Sequence, residues 1–241
     1  MTASDVTLST PDGPMRTYEA VPDGGAATAV IVIPEAFGLN GHIEDITDRL
    51  AAAGHRAIGL DIFHRSGGGT APYDDFEKVL PLFEGLTDEG LLDDIDAARA
   101  HLHDAGTADG AIGIVGFCFG GRTTFLAAVR RPLGAAVGFY GGGIVTGRFP
   151  QFPPLVDESS SLQAPWLGLF GDEDGSIPVD DVERLRATLD AETTVAHEIV
   201  RFAGAEHGFN CDQRPSYHPD AAKDAWQRTL AWFGAHLGAS T

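Results

Sequence analysis

The sequence predicts an α/β fold in which helices cover both faces of a mostly parallel central sheet. Short apolar runs alternate with stretches of helical periodicity along the chain. Runs such as residues 28–34 are almost wholly apolar and β-branched, which is typical of strands covered on both faces. A glycine-rich turn at 113–121 joins an apolar strand to a helix. Because 241 residues suit one large α/β unit, we expect a single domain over residues 1–241.

The chain is expected to open with a β-hairpin at a sheet edge, followed by alternating strands and helices. Residues 5–8 and 15–21 alternate in polarity and flank a turn-forming segment at 10–14. Residues 34–41 form a loop that places Glu35 directly after the strand 28–34. The other expected elements are strands at 56–62, 110–117, 135–140, 165–170 and 198–202, and helices at 43–53, within 73–83, and at 91–102, 122–129, 179–189 and 219–237. Prolines and serines in 147–164 indicate a loop that covers a pocket.

The composition excludes several classes of partner. The formal net charge is -19, from 35 acidic and 16 basic residues, and such a field repels phosphate backbones and anionic membranes. We therefore expect neither nucleic acid nor a membrane as a partner. No apolar run has the length of a membrane span and the first residues do not resemble a signal peptide, so the expected location is the cytoplasm. Two cysteines are too few for a disulfide framework or a cysteine-based zinc site, so we expect reduced thiols and no metal.

The turn at 113–121 carries a candidate nucleophile. Gly116, Cys118 and Gly120 have the spacing of the nucleophile elbow, in which a sharp strand-to-helix turn exposes the central residue. The following helix places its positive end beside Cys118, which favours a thiolate. If the motif stood alone, a buried structural cysteine would be the better explanation. The assignment therefore depends on an acid and a base elsewhere in the chain.

Candidates for both partners follow in the order nucleophile, acid, histidine, which is typical of the elbow fold. Asp174 lies in the loop after the strand 165–170, and Asp172 is a rival in the same loop. Of nine histidines, His207 alone follows a late strand in a loop bracketed by glycines, and His42 is a minor alternative. A histidine between a thiol and a carboxylate can act as the base that a cysteine nucleophile needs.

These segments together resemble the dienelactone hydrolase family of α/β-hydrolases. The matching segments are 30–40, 48–54, Gly116-Phe117-Cys118-Phe119-Gly120-Gly121, Gly171-x-x-Asp174-x-x-x-Pro178 and His207-Gly208-Phe209. The resemblance implies the α/β-hydrolase fold and a cofactor-independent hydrolase that cleaves a small ester or lactone through an acyl-thioester.

The resemblance also implies roles for individual residues. It implies a triad of Cys118, Asp174 and His207, and thereby favours Asp174 over Asp172. Glu35 is expected to contact the resting thiol and to control formation of the thiolate. The backbone N–H groups of Phe119 and Ala36 are expected to form the oxyanion hole, where they would stabilise the charge that develops on the carbonyl oxygen.

The sequence departs from the family at the positions whose arginines bind the substrate's carboxylate. Family members that hydrolyse dienelactone bind that carboxylate with arginines, but residues 66–98 contain no arginine and the fourth residue after His207 is Cys211. The remaining candidates are Arg65, Arg122, Arg148 and Arg214. Two arginines that point into the pocket would indicate an anionic lactone, whereas an apolar lining would favour a neutral ester.

A different class of function is compatible with the same fold. Cys118 and Cys211 could form the responsive pair of a thiol-based redox sensor or of a small-molecule binding protein.

Overall fold

The computed structural model, described here for residues 1–238, contains one eight-stranded sheet. The strands are β1 (Thr2–Thr10), β2 (Gly13–Val21), β3 (Ala29–Ile33), β4 (Arg56–Leu60), β5 (Ile112–Phe117), β6 (Ala135–Phe139), β7 (Trp166–Gly171) and β8 (His197–Phe202). The main helices are α1 (Gly41–Ala52), α2 (Asp88–Asp104), α3 (Phe119–Arg130), α4 (Val179–Glu192) and α5 (Pro219–His236). The strand order is β1-β2-β4-β3-β5-β6-β7-β8. The predicted α/β class, with a mostly parallel sheet, is confirmed.

The N-terminal hairpin forms one edge of the sheet, as predicted. β1 pairs with β2 in antiparallel register, with Thr10 opposite Gly13, and β2 pairs antiparallel with β4. Gly13 closes the turn at a φ of 119°, which a residue with a side chain rarely adopts. From β4 onward every neighbouring pair is parallel, so the carboxyl ends of these strands lie at one edge of the sheet.

The central strands lie in the core. Every residue of β3, β5, β6 and β7 is buried, which explains their continuous apolar runs. α2 packs against α3, whereas the guanidinium of Arg49 in α1 lies 4.0 Å above the ring of Trp226 in α5. At the start of α1, the side chain of Asn40 accepts hydrogen bonds from the N–H groups of His42 and Ile43.

The structure differs from prediction at two connections. Residues 73–83 form two short 3₁₀ helices, Phe76–Lys78 and Leu80–Phe83, instead of one helix, because Pro81 lacks an amide hydrogen and interrupts the hydrogen-bond ladder. The predicted loop 147–164 contains a 3₁₀ helix at Val156–Ser161. Within residues 1–238, no helix combines the length and apolar character needed to cross a membrane.

Candidate active site

Cys118 lies between β5 and α3 with a strained backbone. Its φ of 54° and ψ of -113° are unusual for a residue with a side chain. A Cβ atom on Gly116 would collide with the carbonyl of Gly120, and one on Gly120 would collide with the carbonyls of Ile33 and Pro34. Both glycines are therefore required by close packing, and the turn projects Cys118 at the carboxyl edge of the sheet.

His207 and Asp174 meet beside this turn. His207 follows β8, Asp174 follows β7, and Nδ1 of His207 lies 2.6 Å from Oδ2 of Asp174. The other carboxylate oxygen of Asp174 accepts hydrogen bonds from the hydroxyl of Ser176 at 2.7 Å and from its backbone N–H at 2.9 Å. These bonds fix the carboxylate, so the ring of His207 is oriented by a group that is itself held in place.

The electrostatic environment favours a protonated His207. Burial alone would lower the pKa of His207, but attraction to a Cys118 thiolate and hydrogen bonds with Asp174 and Cys118 outweigh it and raise the pKa to about 10. Burial opposes ionisation of Asp174 as well, yet the hydrogen bond and charge of His207, with bonds from Ser176, hold the pKa of Asp174 below its ordinary value. His207 and Asp174 thus stabilise each other's charged forms.

The rival candidates lie elsewhere. The carboxylate of Asp172 accepts a hydrogen bond from Nε of Arg201 at 2.6 Å. His42 is 2 % exposed and packs its ring edge-on against Phe117, with ring centres 6.2 Å apart. Burial lowers the pKa of His42, more than the nearby carboxylates raise it. The structure therefore brings Asp174 and His207 to the turn and leaves Asp172 and His42 in other environments.

Glu35 is buried and has a partner that the sequence did not indicate. The side chain of Glu35 is 1 % exposed, and its Oε1 accepts a hydrogen bond from Arg214 at 3.3 Å. Among residues 1–238, its Oε2 has no hydrogen-bond partner, and neither has the buried hydroxyl of Tyr140. Within residues 1–238, Oε1 of Glu35 is bonded to Arg214 and no hydrogen bond joins Glu35 to the thiol of Cys118, so the role of Glu35 at the thiol stays a prediction.

Two backbone donors flank the thiol. Ala36 and Phe119 line the same cavity as Cys118 and His207. Phe119 is the first residue of α3, where an N–H group has no acceptor within the helix. Ala36 lies in the loop after β3, and within residues 1–238 its N–H donates no hydrogen bond to the backbone. The two predicted oxyanion residues are therefore both at the cavity that contains Cys118.

Cys118 opens into two chambers of different polarity. One chamber, of about 520 Å³ including its open mouth, is lined mainly by apolar side chains. Its apolar lining consists of Ala36, Phe76, Val79, Leu80, Phe83, Phe119 and Phe149. The second chamber, of about 1130 Å³ including its open part, has a mixed lining. Its charged and polar side chains, Asp174, Ser176, Glu206, His207 and Arg214, lie beside the rings of Phe37, Tyr73 and Phe76. We call these the apolar chamber and the polar chamber.

Two of the four candidate arginines reach these chambers. Arg148 lines both chambers, and Arg214 lines the polar one. Arg65 instead bonds to Asp12 and Asp94, and Arg122 bonds to Asp88 at 2.6 Å in the interior. The lining thus combines two inward arginines with an apolar wall, which the sequence treated as alternatives.

Several residues of the site were not predicted from the sequence. Ser176 was detectable as a hydroxyl two residues after the acid, a spacing that favours a bond to the aspartate side chain. Tyr140, whose ring lies 5.1 Å from that of His207, has a φ of 39°, and no local signal predicts this conformation. The apolar lining from residues 76–83 depends on the tertiary course of a loop.

The two cysteines are both free thiols. Cys118 is partly exposed, whereas Cys211 is fully buried and its thiol donates to the hydroxyl oxygen of Tyr73 at 3.4 Å. Burial, the largest influence, raises the pKa of Cys211, which disfavours its thiolate.

A strained turn between a strand and a helix, at the carboxyl edge of a mostly parallel eight-stranded sheet, defines an α/β-hydrolase fold. The model of the dienelactone hydrolase family matches residues 15–237, and the chain belongs to that family.

Relatives and solved structures agree with this membership. A Salmonella typhimurium protein provisionally named carboxymethylenebutenolidase is 41 % identical over 233 residues, which cover 93 % of this chain and 84 % of the relative. A Bradyrhizobium protein provisionally named 2-oxo-3-(5-oxofuran-2-ylidene)propanoate lactonase is 35 % identical over 217 residues, 88 % of this chain and 86 % of the relative. The crystal structure of a provisionally named dienelactone hydrolase from Klebsiella pneumoniae superimposes with a TM-score of 0.90 at 38 % identity, and covers 98 % of this chain and 99 % of that chain.

Proposed function

We propose that the protein cleaves a carboxylic ester or a lactone through an acyl-thioester on Cys118. The observation that carries the proposal is the position of His207, whose Nδ1 lies 2.6 Å from Oδ2 of Asp174 and whose ring lines the same two chambers as the thiol of Cys118. The pair of Cys118 thiolate and His207 imidazolium is the reactive form, because the thiolate is the nucleophile and the imidazolium holds a proton for the leaving group.

The reaction proceeds in two stages. The thiolate sulfur of Cys118 bonds to the carbonyl carbon, and the carbonyl oxygen takes the negative charge next to the N–H groups of Ala36 and Phe119. When the C–O bond breaks, Nε2 of His207 gives its proton to the departing alkoxide. A water molecule then loses a proton to His207 and attacks the thioester, which releases the acid and restores the thiolate and the imidazolium. Loss of one oxyanion donor in a comparable site costs on the order of 3 kcal/mol of the barrier.

Glu35 and Arg214 form a charged pair near the thiol. Arg214 favours a thiolate and Glu35 opposes it, while their mutual hydrogen bond at 3.3 Å keeps the pair close to neutral. A substrate that attracts Arg214 would break its hydrogen bond with Glu35. The carboxylate of Glu35 would then be free to change the protonation of the Cys118 thiol. Glu35 is therefore proposed to control formation of the thiolate, through Arg214 and not through a contact with the resting thiol.

The lining and the relatives support a small ester or lactone as the substrate. Two of the relatives carry names of lactone-cleaving enzymes. Because Arg214 is bonded to Glu35, Arg148 is the inward arginine that is more readily free for a substrate's carboxylate. The site therefore lacks a preformed pair of arginines for an anion, and its lining suits a substrate with an apolar part.

Alkylation of Cys118 tests the proposal. Iodoacetamide should abolish hydrolysis of 4-nitrophenyl acetate in step with one carboxamidomethyl group on the peptide that contains Cys118, since Cys211 is fully buried. Cys118→Ala should be inactive as well. Full activity in the alkylated protein, or in Cys118→Ala, would show that the thiol is not the nucleophile.

A further inference from the structure

The two chambers differ in the part of the substrate that each can receive. The apolar chamber contains Phe119, whose N–H group is a proposed oxyanion donor, and the wall extends outward through Phe83 and Phe149. His207, which delivers and accepts protons, lines both chambers, whereas its partners Asp174 and Ser176 line only the polar one. Cys118 lies at the junction, because it lines both.

The apolar chamber has a rim that is open to solvent and hydrophobic. Phe76, Leu80 and Phe149 are 56 %, 54 % and 38 % exposed, and all three line this chamber. They account for most of the large hydrophobic side chains that are exposed within residues 1–238, and the others are Met1 and Tyr217. Scattered exposed apolar residues are ordinary, but a cluster around a nucleophile indicates a surface that is covered when an apolar ligand binds.

Aromatic rings in edge-to-face and tilted contact form this wall. The ring of Phe83 lies 4.9 Å from that of Phe119 and 6.0 Å from that of Phe149, and Phe119 lies 4.9 Å from Phe152. The row begins next to the reacting sulfur and ends at the rim. An alkyl or aryl chain that begins at the carbonyl carbon can therefore follow the row outward and lose contact with water along its length.

From this arrangement we propose that the substrate's acyl group is an extended apolar chain that binds in the apolar chamber, while the leaving alcohol and the attacking water use the polar chamber. This inference rests on the proposed thioester mechanism, and it adds the substrate's orientation and class. After the C–O bond breaks, the acyl chain stays on Cys118 against the aromatic row. The alcohol departs past His207, and water reaches the thioester from the same side, so the two stages use His207 from one direction.

The chain-length dependence of hydrolysis tests the orientation. We expect kcat/KM for 4-nitrophenyl acetate, butyrate and hexanoate to rise by up to about fourfold for each methylene buried, the factor that corresponds to about 0.8 kcal/mol. Because the rim is open, the rise should level off once the chain reaches solvent. A flat or falling series in the unaltered protein would overturn the proposal.

Two variants of the rim and one matched control locate the effect. Phe149→Ala and Leu80→Asp should reduce the increase in kcat/KM per methylene. Both side chains are exposed, so the substitutions should leave the protein folded. Tyr217→Ala is the control, because Tyr217 is 39 % exposed, close to the 38 % of Phe149, but lies outside both chambers. Tyr217→Ala should leave the series unchanged. An unchanged series in both Phe149→Ala and Leu80→Asp would refute the assignment of the acyl chain to this chamber.

A separate readout distinguishes this inference from the proposed function. Cys118→Ala should abolish hydrolysis of every ester in the series. If hydrolysis requires Cys118 but does not respond to chain length, only the orientation is wrong. If Cys118→Ala still hydrolyses the esters, the thioester mechanism itself is wrong.

Discussion

The bond between His207 and Asp174 should control the alkaline limit of activity. The carboxylate of Asp174 is 1 % exposed at its side chain and lies 2.6 Å from Nδ1 of His207, and this bond helps to raise the pKa of His207 to about 10. The proposed reactive form requires a protonated His207. Activity should therefore be retained below this pKa and lost as the pH rises through about 10.

Asp174→Asn removes the charge but keeps the shape of the side chain. A hydrogen bond to a charged group contributes about 1.5–3 kcal/mol, and one pKa unit corresponds to about 1.4 kcal/mol, so the alkaline limit should move down by about 1–2 pH units. At neutral pH, kcat/KM should fall by about 10³-fold or more, because the ring also loses the partner that fixes its orientation.

The assay is the pH dependence of kcat/KM for 4-nitrophenyl acetate, corrected for spontaneous hydrolysis at high pH. Asp172→Asn is the matched control, because Asp172 lies two residues away and bonds to Arg201. That variant should keep the alkaline limit of the unaltered protein. An alkaline limit that does not move in Asp174→Asn, or that moves equally in both variants, would refute the reasoning.

Two further predictions concern the partners of the site. Ser176→Ala should lower kcat by about fivefold, because Asp174 loses its 2.7 Å bond to the hydroxyl. The factor corresponds to about 1 kcal/mol for one neutral hydrogen bond. An unchanged kcat would mean that the backbone N–H of Ser176 suffices to hold the carboxylate of Asp174. Glu35→Gln should speed alkylation of Cys118 several-fold at pH 7, because it removes a negative charge near the thiol. Arg214→Gln should slow alkylation, because it removes a positive charge there. Stopped-flow labelling measures both rates, with circular dichroism as the check on folding, and a shift of the two rates in the same direction would contradict the proposed division of charge.

Local sequence signals predicted the framework of the fold because they depend on short-range chemistry. The apolar strand β5, the glycines at 116 and 120 and the helix α3 each have a direct steric cause, and the structure places them as predicted. Chain order then placed an acid and a histidine after later strands. The carboxyl ends of parallel strands share an edge, so groups far apart in sequence could be expected to meet there.

The remaining features depend on contacts between distant segments. Arg214 was considered for binding a substrate's carboxylate, but its bond to Glu35 joins residues 179 positions apart and leaves no trace in local pattern. The apolar wall near Phe76 and Leu80 depends on the path of a loop in which Pro81 stops an α-helix from forming. The sequence indicated either an anionic substrate or an apolar one. The structure has features of both, because an apolar chamber and a more polar one meet at Cys118.

The burial of Cys211 makes its thiol a built-in reporter of local unfolding. Since the chain has two cysteines and Cys211 is completely covered, a thiol reagent should modify Cys118 in the native state and reach Cys211 only when the surrounding structure separates. In a thiol titration, the fast first equivalent would give the number of Cys118 thiols that are intact. The rate of the slow second equivalent would report how often the structure around Cys211 opens. One reagent could thus follow two properties of the unaltered protein, without an added label.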